Sequence, residues 1–405
     1  MNLRSSAPAW LVGAAFLMTL SSVFGQTYFI AIFAPQLKST FGLSDGGFGG
    51  LYTVSNVASA AVLLWAGKIA DHYRIRWLAV LTLLALAAAC AAMASVSAAW
   101  MLLPVLFALR LFGQGVPGHL AFTGIGRWYV RRRGRMISLA ALGFPISEAL
   151  APMTAVALIA AVGWRETWFM AAAVLCAVSV PLVLFFLRNE PAHDQPSDDT
   201  DGEGAAERRH WTRAEVLRRP EFFVVLAGVV TPPFVMTGII FHQAYLVEVK
   251  GWTLAWFAAW FPAYAGSSVL AALTTGWLVD RFDARTLLPL FLLPMAAGVL
   301  TLAFTDSPWA VPVFMVLGAA TGGSAATLLG ALWAELFGTR HLGAIRSAAF
   351  AAMVFASALA PGLIGALLDM GVRLEDQYVV MAVYALCAAF WLKLLVPRLH
   401  RLAEA

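Results

Sequence analysis

The chain reads as long stretches without charge, separated by short polar connections. No Asp, Glu, Lys or Arg occurs in residues 5–37, 77–109, 167–187, 222–247, 251–279, 307–334 or 347–368. An apolar helix of roughly 20 residues crosses a bilayer core. The runs therefore predict membrane-spanning helices, and the longer runs hold two spans joined by a tight turn. Twelve spans are expected, at about 8–33, 45–66, 77–96, 99–124, 136–161, 167–187, 221–246, 253–277, 287–306, 309–335, 344–368 and 377–396. The run nearest the N-terminus is far longer than a signal-peptide core and lacks a convincing cleavage site, so it is expected to be a retained helix.

Composition agrees with the pattern. Residues are 61% hydrophobic and 12% charged, with a mean hydropathy of +0.80, whereas a soluble domain carries about 25% charged residues. The expected class is an all-α integral membrane protein. With the N-terminus inside, the cytoplasmic connections hold 22 of the 27 Lys and Arg. The outward connections hold only Lys38, Arg165, Lys250 and Arg373, and Arg110 lies within a span. Basic residues collect on the cytoplasmic side, so both termini are expected there. The net charge of +5 follows from that rule and does not call for nucleic acid. Cys90, Cys176 and Cys387 all fall in spans without metal-ligand spacing, so they read as packing residues.

After the sixth span the composition changes. Residues 191–219 are polar, mixed in charge and rich in turn formers, as in a cytoplasmic linker, and WTRAEVLRR reads as a short interfacial helix. Residues 1–190 and 220–405 form the expected six-helix bundles. They repeat: GKIADHYRIR at 67–76 matches GWLVDRFDAR at 276–285, and ALAP at 149–152 recurs at 358–361, both 209 residues on. Gly134 and Gly343 keep the same register, as do Phe48 and Phe257. Parallel duplication of this kind places a substrate site near the midplane between two bundles.

These residues resemble the major facilitator superfamily, whose loop between spans two and three carries G-x-x-x-D-R-x-G-R-[RK]. Gly67, Asp71, Arg74 and Arg76 match or neighbour that signature, with His72 where Arg is usual and Arg74 where the second Gly is usual. The second copy keeps Gly276, Asp280, Arg281 and Arg285. The resemblance implies a secondary transporter of two pseudo-symmetric bundles. It also implies that Asp71 meets the start of span eleven near Gly343, and Asp280 the start of span five near Gly134, latching the cytoplasmic side. Asp71, Arg74, Asp280 and Arg281 are the expected gating residues, with Glu335 and Arg340 as a further pair at the inner end of span ten.

Inside the spans, ionisable groups are candidate functional residues. Arg110 and Glu148 each lie roughly 16–18 Å into sequential antiparallel helices, so a pair is geometrically easy. Gln114 follows Arg110 by one turn and shares its face. His119, about 900° further round an α-helix, points away. R-L-F-G-Q-G is similar to the family's span-four R-x-x-Q-G, with Gly113 and Gln114 reversed. LGFPISEALAP at 142–152 partly resembles the antiporter signature of span five. Spans one and seven both carry Q-x-Y: Gln26 and Tyr28, then Gln243 and Tyr245. Gly238, His242 and Tyr245 share a stripe, and the resemblance puts spans one, four, seven and ten around the cavity. Tyr264 in span eight completes the candidate substrate set of Arg110, Gln26, Tyr28, Gln114, His242, Gln243, Tyr245 and Tyr264. Glu148 and His242 are the candidate proton carriers.

No nucleotide loop, metal cluster or nucleophile elbow is legible, so neither an enzyme nor a cofactor is expected. Transport would run on gradients, by symport, antiport or uniport. One fixed cation at the midplane points first to a small organic anion. The overall look is similar to the monocarboxylate and oxalate/formate branch, although that branch's second arginine, in span eight, is absent. A proton-coupled exporter of drugs or amphipathic metabolites, a sugar transporter and a non-transporting receptor on the same scaffold remain open. The expected partners are a small-molecule substrate, protons and membrane lipids. The expected setting is a monomer in a bacterial inner membrane.

Overall fold

The computed structural model describes residues 10–66, 73–129, 133–190, 211–338 and 340–404. Among them every regular element is helical. Ten helices are long and apolar enough to cross a membrane. Span one, expected at about 8–33, runs from Trp10 to Phe41 and continues past Lys38. It ends at Gly42, whose φ of +64° is the left-handed geometry of a helix C-terminus.

Two expected spans are not among those ten. Span two is the 22-residue helix Asp45–Ala66. Span nine is the apolar helix Leu293–Phe304, preceded by turns over residues 288–292 where a continuous helix from 287 was expected.

The chain divides into two compact units. The first comprises Met1–Asp198 with Gln243–Tyr245, and the second Asp199–His242 with Leu246–Ala405. The repeated ALAP motifs lie inside helices, with Pro152 in Gly143–Val162 and Pro361 in Leu342–Asp369. Each proline removes one backbone donor from its helix.

In both units a carboxylate caps the start of the helix that follows the signature loop. In the first, Glu190 accepts from the backbone N–H of Ile75 at 2.9 Å and of Arg76 at 3.0 Å. In the second, Glu335 accepts from the Ala284 N–H at 3.2 Å and pairs with Arg285 at 3.5 Å. Helix N-termini carry unsatisfied donors and positive dipole ends, so a carboxylate fits there. Glu335 is thus tied within its own unit, to Ala284 and Arg285, and makes no ion pair with Arg340.

The second unit's signature loop turns at Asp283, the one described non-glycine residue with positive φ, at +59° with ψ +159°. Its carboxylate accepts from the Thr286 N–H at 2.8 Å. Asp283 is 209 residues after Arg74, the site where the family signature has glycine. Arg74 itself is extended, at φ −65° and ψ 132°.

On the opposite ends of these helices, Lys250 binds Asp306 at 2.7 Å and Glu375 at 3.6 Å. Its ammonium thereby joins the connections after spans seven, nine and eleven. Trp252 and Trp256 add indole bonds to the carbonyls of Asp306 and Pro308.

Candidate functional site

Arg110 opens a π-helical turn, Arg110–Gly115, inside span four. Such turns carry one extra residue and often occur at functional sites. The extra residue changes the register of everything after it by about one α-helical step, roughly 100°. The expectation that His119 lies half a turn round from Arg110 assumed an unbroken α-helix, and the π-helical turn reduces that offset to about a quarter turn. Gln114 lies in the same turn, half-buried, and its side chain makes no hydrogen bond among the described residues.

Span one breaks at the same level. A 3₁₀ turn, Ser22–Gly25, ends in an extended Gln26 at φ −80° and ψ 148°. The Phe29 and Ile30 N–H groups then both bond to the Gln26 carbonyl, which leaves the Gly25 carbonyl outside the helix ladder. Arg110 Nη1 donates to that carbonyl at 2.9 Å. Span four can come this close because both backbones lack a side chain. A Cβ on Gly113 would lie 2.5 Å from Gly25 Cα.

The rest of the guanidinium shell comes from span two and from Thr27. Arg110 Nε and Nη2 both donate to Asn56 Oδ1, at 3.1 and 2.9 Å. Nη1 makes a longer contact of 3.4 Å with Thr27 Oγ1. The Tyr52 ring packs 5.1 Å from the guanidinium carbon, and its hydroxyl bonds Thr27 Oγ1 at 2.7 Å. Arg110 is 2% exposed, Asn56 4% and Tyr52 0%. No carboxylate among the described residues lies within ion-pair distance of Arg110.

The easy pair with Glu148 is therefore not formed. Equal depth fixes height along two helices but not the face each residue presents. Glu148 lies half-buried in Gly143–Val162, next in sequence to Ser147, whose hydroxyl meets that of Tyr28 at 3.1 Å. Glu148 makes no ion pair among the described residues.

The other expected residues are distributed as follows. Gln26 donates to Ser22 Oγ at 3.3 Å. Gln243, fully buried, donates from Nε2 to the Tyr28 carbonyl at 3.3 Å, and its Oε1 is buried without a partner. The Tyr245 ring lies 5.8 Å from Lys38 Nζ. His242 sits at a break between helices Thr231–Phe241 and Gln243–Val249. Its Nδ1 is 3.0 Å from the Gly238 carbonyl, so that nitrogen carries the proton. Tyr264 belongs to the second unit, where a Cβ on Gly322 would sit 3.5 Å from its hydroxyl.

Among the gating expectations, Asp71 lies outside the described residues. Arg74 and Asp280 are exposed and make no ion pair among the described residues. Arg281 is exposed and packs 5.6 Å from the Trp277 ring. Asn56, Tyr52 and Thr27 were not expected. Their signal is weak, because neutral polar residues in spans more often join helices than bind ligands.

The family model of the Major Facilitator Superfamily matches residues 15–273 and 256–405, and the chain belongs to that family. Among solved structures, it is similar to a bacterial homologue of the human lysosomal transporter Spinster. The inward-facing, unoccupied form matches with a TM-score of 0.78 at 16% identity, covering 99% of each chain. The inward-facing, occupied form gives 0.71 over 97% of each chain. The nucleoside transporter NupG gives 0.69 at 14% identity, over 95% of this chain and 99% of its own. The protein is a multi-pass membrane transport protein of the major facilitator fold.

Proposed function

We propose that the protein is a secondary active transporter that moves a small, monocarboxylate-like organic anion by alternating access, with proton coupling or by exchange. The observation that carries this reading is a buried guanidinium held, among the described residues, only by neutral acceptors. An uncompensated charge in a low-dielectric interior costs on the order of several kcal/mol, and a carboxylate ligand is the natural partner. Four of the five guanidinium N–H groups are occupied, one of them only by the 3.4 Å contact to Thr27. A carboxylate taking the free Nη2–H and replacing the Thr27 contact would be bound through two bonds. Gln114, with an unengaged amide, would contact the remainder of the substrate.

Glu148 is assigned to proton coupling. It is half-buried, lies beside the Tyr28–Ser147 pair, and makes no ion pair among the described residues. Asp71, Arg74, Asp280 and Arg281 are assigned to gating, in a chain of twelve spans with both termini cytoplasmic. The setting is a bacterial inner membrane.

The test is a thermal-shift series on purified protein at pH 6 and pH 8, with monocarboxylates, dicarboxylates, sugars and lipophilic cations. It is followed by uptake into proteoliposomes. Stabilisation by a carboxylate that disappears in Arg110→Ala is the expected result. Stabilisation only by sugars or cations would overturn the organic-anion reading.

A further inference from the structure

The residue at position 56 raises a question that the anion reading does not answer. The Nε/Nη2 edge of a guanidinium is the edge that carboxylates take through two parallel bonds. In this protein that edge is filled by a single amide oxygen, Asn56 Oδ1, at 3.1 and 2.9 Å. Asparagine and aspartate are nearly isosteric, so an aspartate at this position would reach the same two donors. It would hold Arg110 at least as firmly and would remove the cost of an unpaired buried charge. On stability alone the amide is the poorer choice.

The remaining neighbours are neutral too: the Gly25 carbonyl, Thr27 and the Tyr52 ring. Orientation is therefore complete without neutralisation. Four hydrogen bonds and the Tyr52 ring fix the guanidinium plane, and none of these partners carries a negative charge.

We propose that Asn56 is a specificity-determining residue. It occupies a counter-ion's position with a neutral group, which holds Arg110 in place and leaves its charge for the transported anion. This rests on the organic-anion reading and adds to it the element that keeps the site cationic. Asn56 is a positioning residue acting through Arg110. An internal carboxylate at this position would compete permanently with the substrate's own.

The experiment compares wild type, Asn56→Asp and Asn56→Ser by thermal shift and by uptake in proteoliposomes. The probes are acetate, pyruvate and benzoate, each against its primary amide. In Asn56→Asp, carboxylate binding is expected to weaken at least tenfold while weak binding of the amides is unchanged. The ligand-free protein is expected to melt at or above the wild-type temperature. In Asn56→Ser, which keeps the site cationic but loosens Arg110, carboxylates are expected to bind more weakly yet still in preference to amides. Carboxylate binding in Asn56→Asp within twofold of wild type would overturn the inference and leave the anion reading standing. Equal loss of carboxylate preference in Asn56→Ser and Asn56→Asp would also overturn it, since packing and not charge would then be responsible. If wild type binds none of the carboxylates, the anion reading itself falls, and the inference with it.

Discussion

Gly25 and Gly113 meet backbone to backbone: a Cβ on Gly25 would fall 2.2 Å from the Leu109 carbonyl and 2.5 Å from Gly113 Cα. Neither backbone can yield as a flexible side chain would. Gly113→Ala is expected to destabilise the protein by about 1–3 kcal/mol, as over-packing does. Anion binding should fall as well, because the Gly25 carbonyl is one of the Arg110 acceptors. Melting curves in detergent check this. A variant melting within a degree of wild type would contradict so close an approach.

Tyr52 holds Arg110 in two separable ways. Its ring faces the guanidinium, and its hydroxyl bonds Thr27. Tyr52→Phe keeps the ring and should cost about 1 kcal/mol for the lost hydrogen bond. Tyr52→Leu removes the aromatic face too and should cost roughly 0.5–2 kcal/mol more. Equal melting temperatures for the two variants would show that the ring contributes nothing.

Asp283 occupies a backbone region that is close to glycine-only, at a cost of about 1–3 kcal/mol. Its cap on Thr286 returns part of that, but replacing an N-cap by glycine costs only a few tenths of a kcal/mol. Asp283→Gly is therefore expected to raise the melting temperature, and Asp283→Ala to lower it. Thermal unfolding of the two variants side by side would settle the order.

The Asp306–Lys250 pair gives a signature in acid. A hydrogen bond and charge from Lys250 hold the Asp306 carboxyl below the usual aspartate range. A depressed folded value means that the pair's contribution is complete above the free aspartate pKa, about 4. It is lost as pH falls through the lower folded value. The melting-temperature gap between wild type and Asp306→Asn should be constant from pH 7 to pH 5 and close below pH 4. A gap that persists in acid would mean that this ion pair contributes nothing.

The charge-free runs sufficed to reach the helical class, because membrane burial forbids charge over whole segments, and the resemblance to the family rested on the signature loops and their 209-residue repeat. The local breaks were harder to read. R-L-F-G-Q-G carries no mark of the extra residue in its turn, since hydropathy does not record which carbonyl an N–H chooses. Arg110 stood out because ionisable groups are rare in spans. Asn56 did not, because a neutral amide among Ser55 and Ser59 looks like helix-joining chemistry. The expected Arg110–Glu148 pair came from counting residues along helices, which gives depth alone. Depth does not give the face each residue presents, and the guanidinium is engaged instead by Asn56, Gly25 and Thr27.

The caps on Ile75 and Ala284 sit at equivalent places in the duplication, yet Glu190 follows span six while Glu335 ends span ten. The gene duplication was faithful to the need and careless of the donor. Each half meets the same electrostatic need with a carboxylate from a different span. Hybrid proteins built by exchanging equivalent spans would therefore lose one cap and double another, even where the exchanged helices superimpose. Inheritance in this molecule is carried by the unmet valence of a helix start, and the residue that meets it is free to wander.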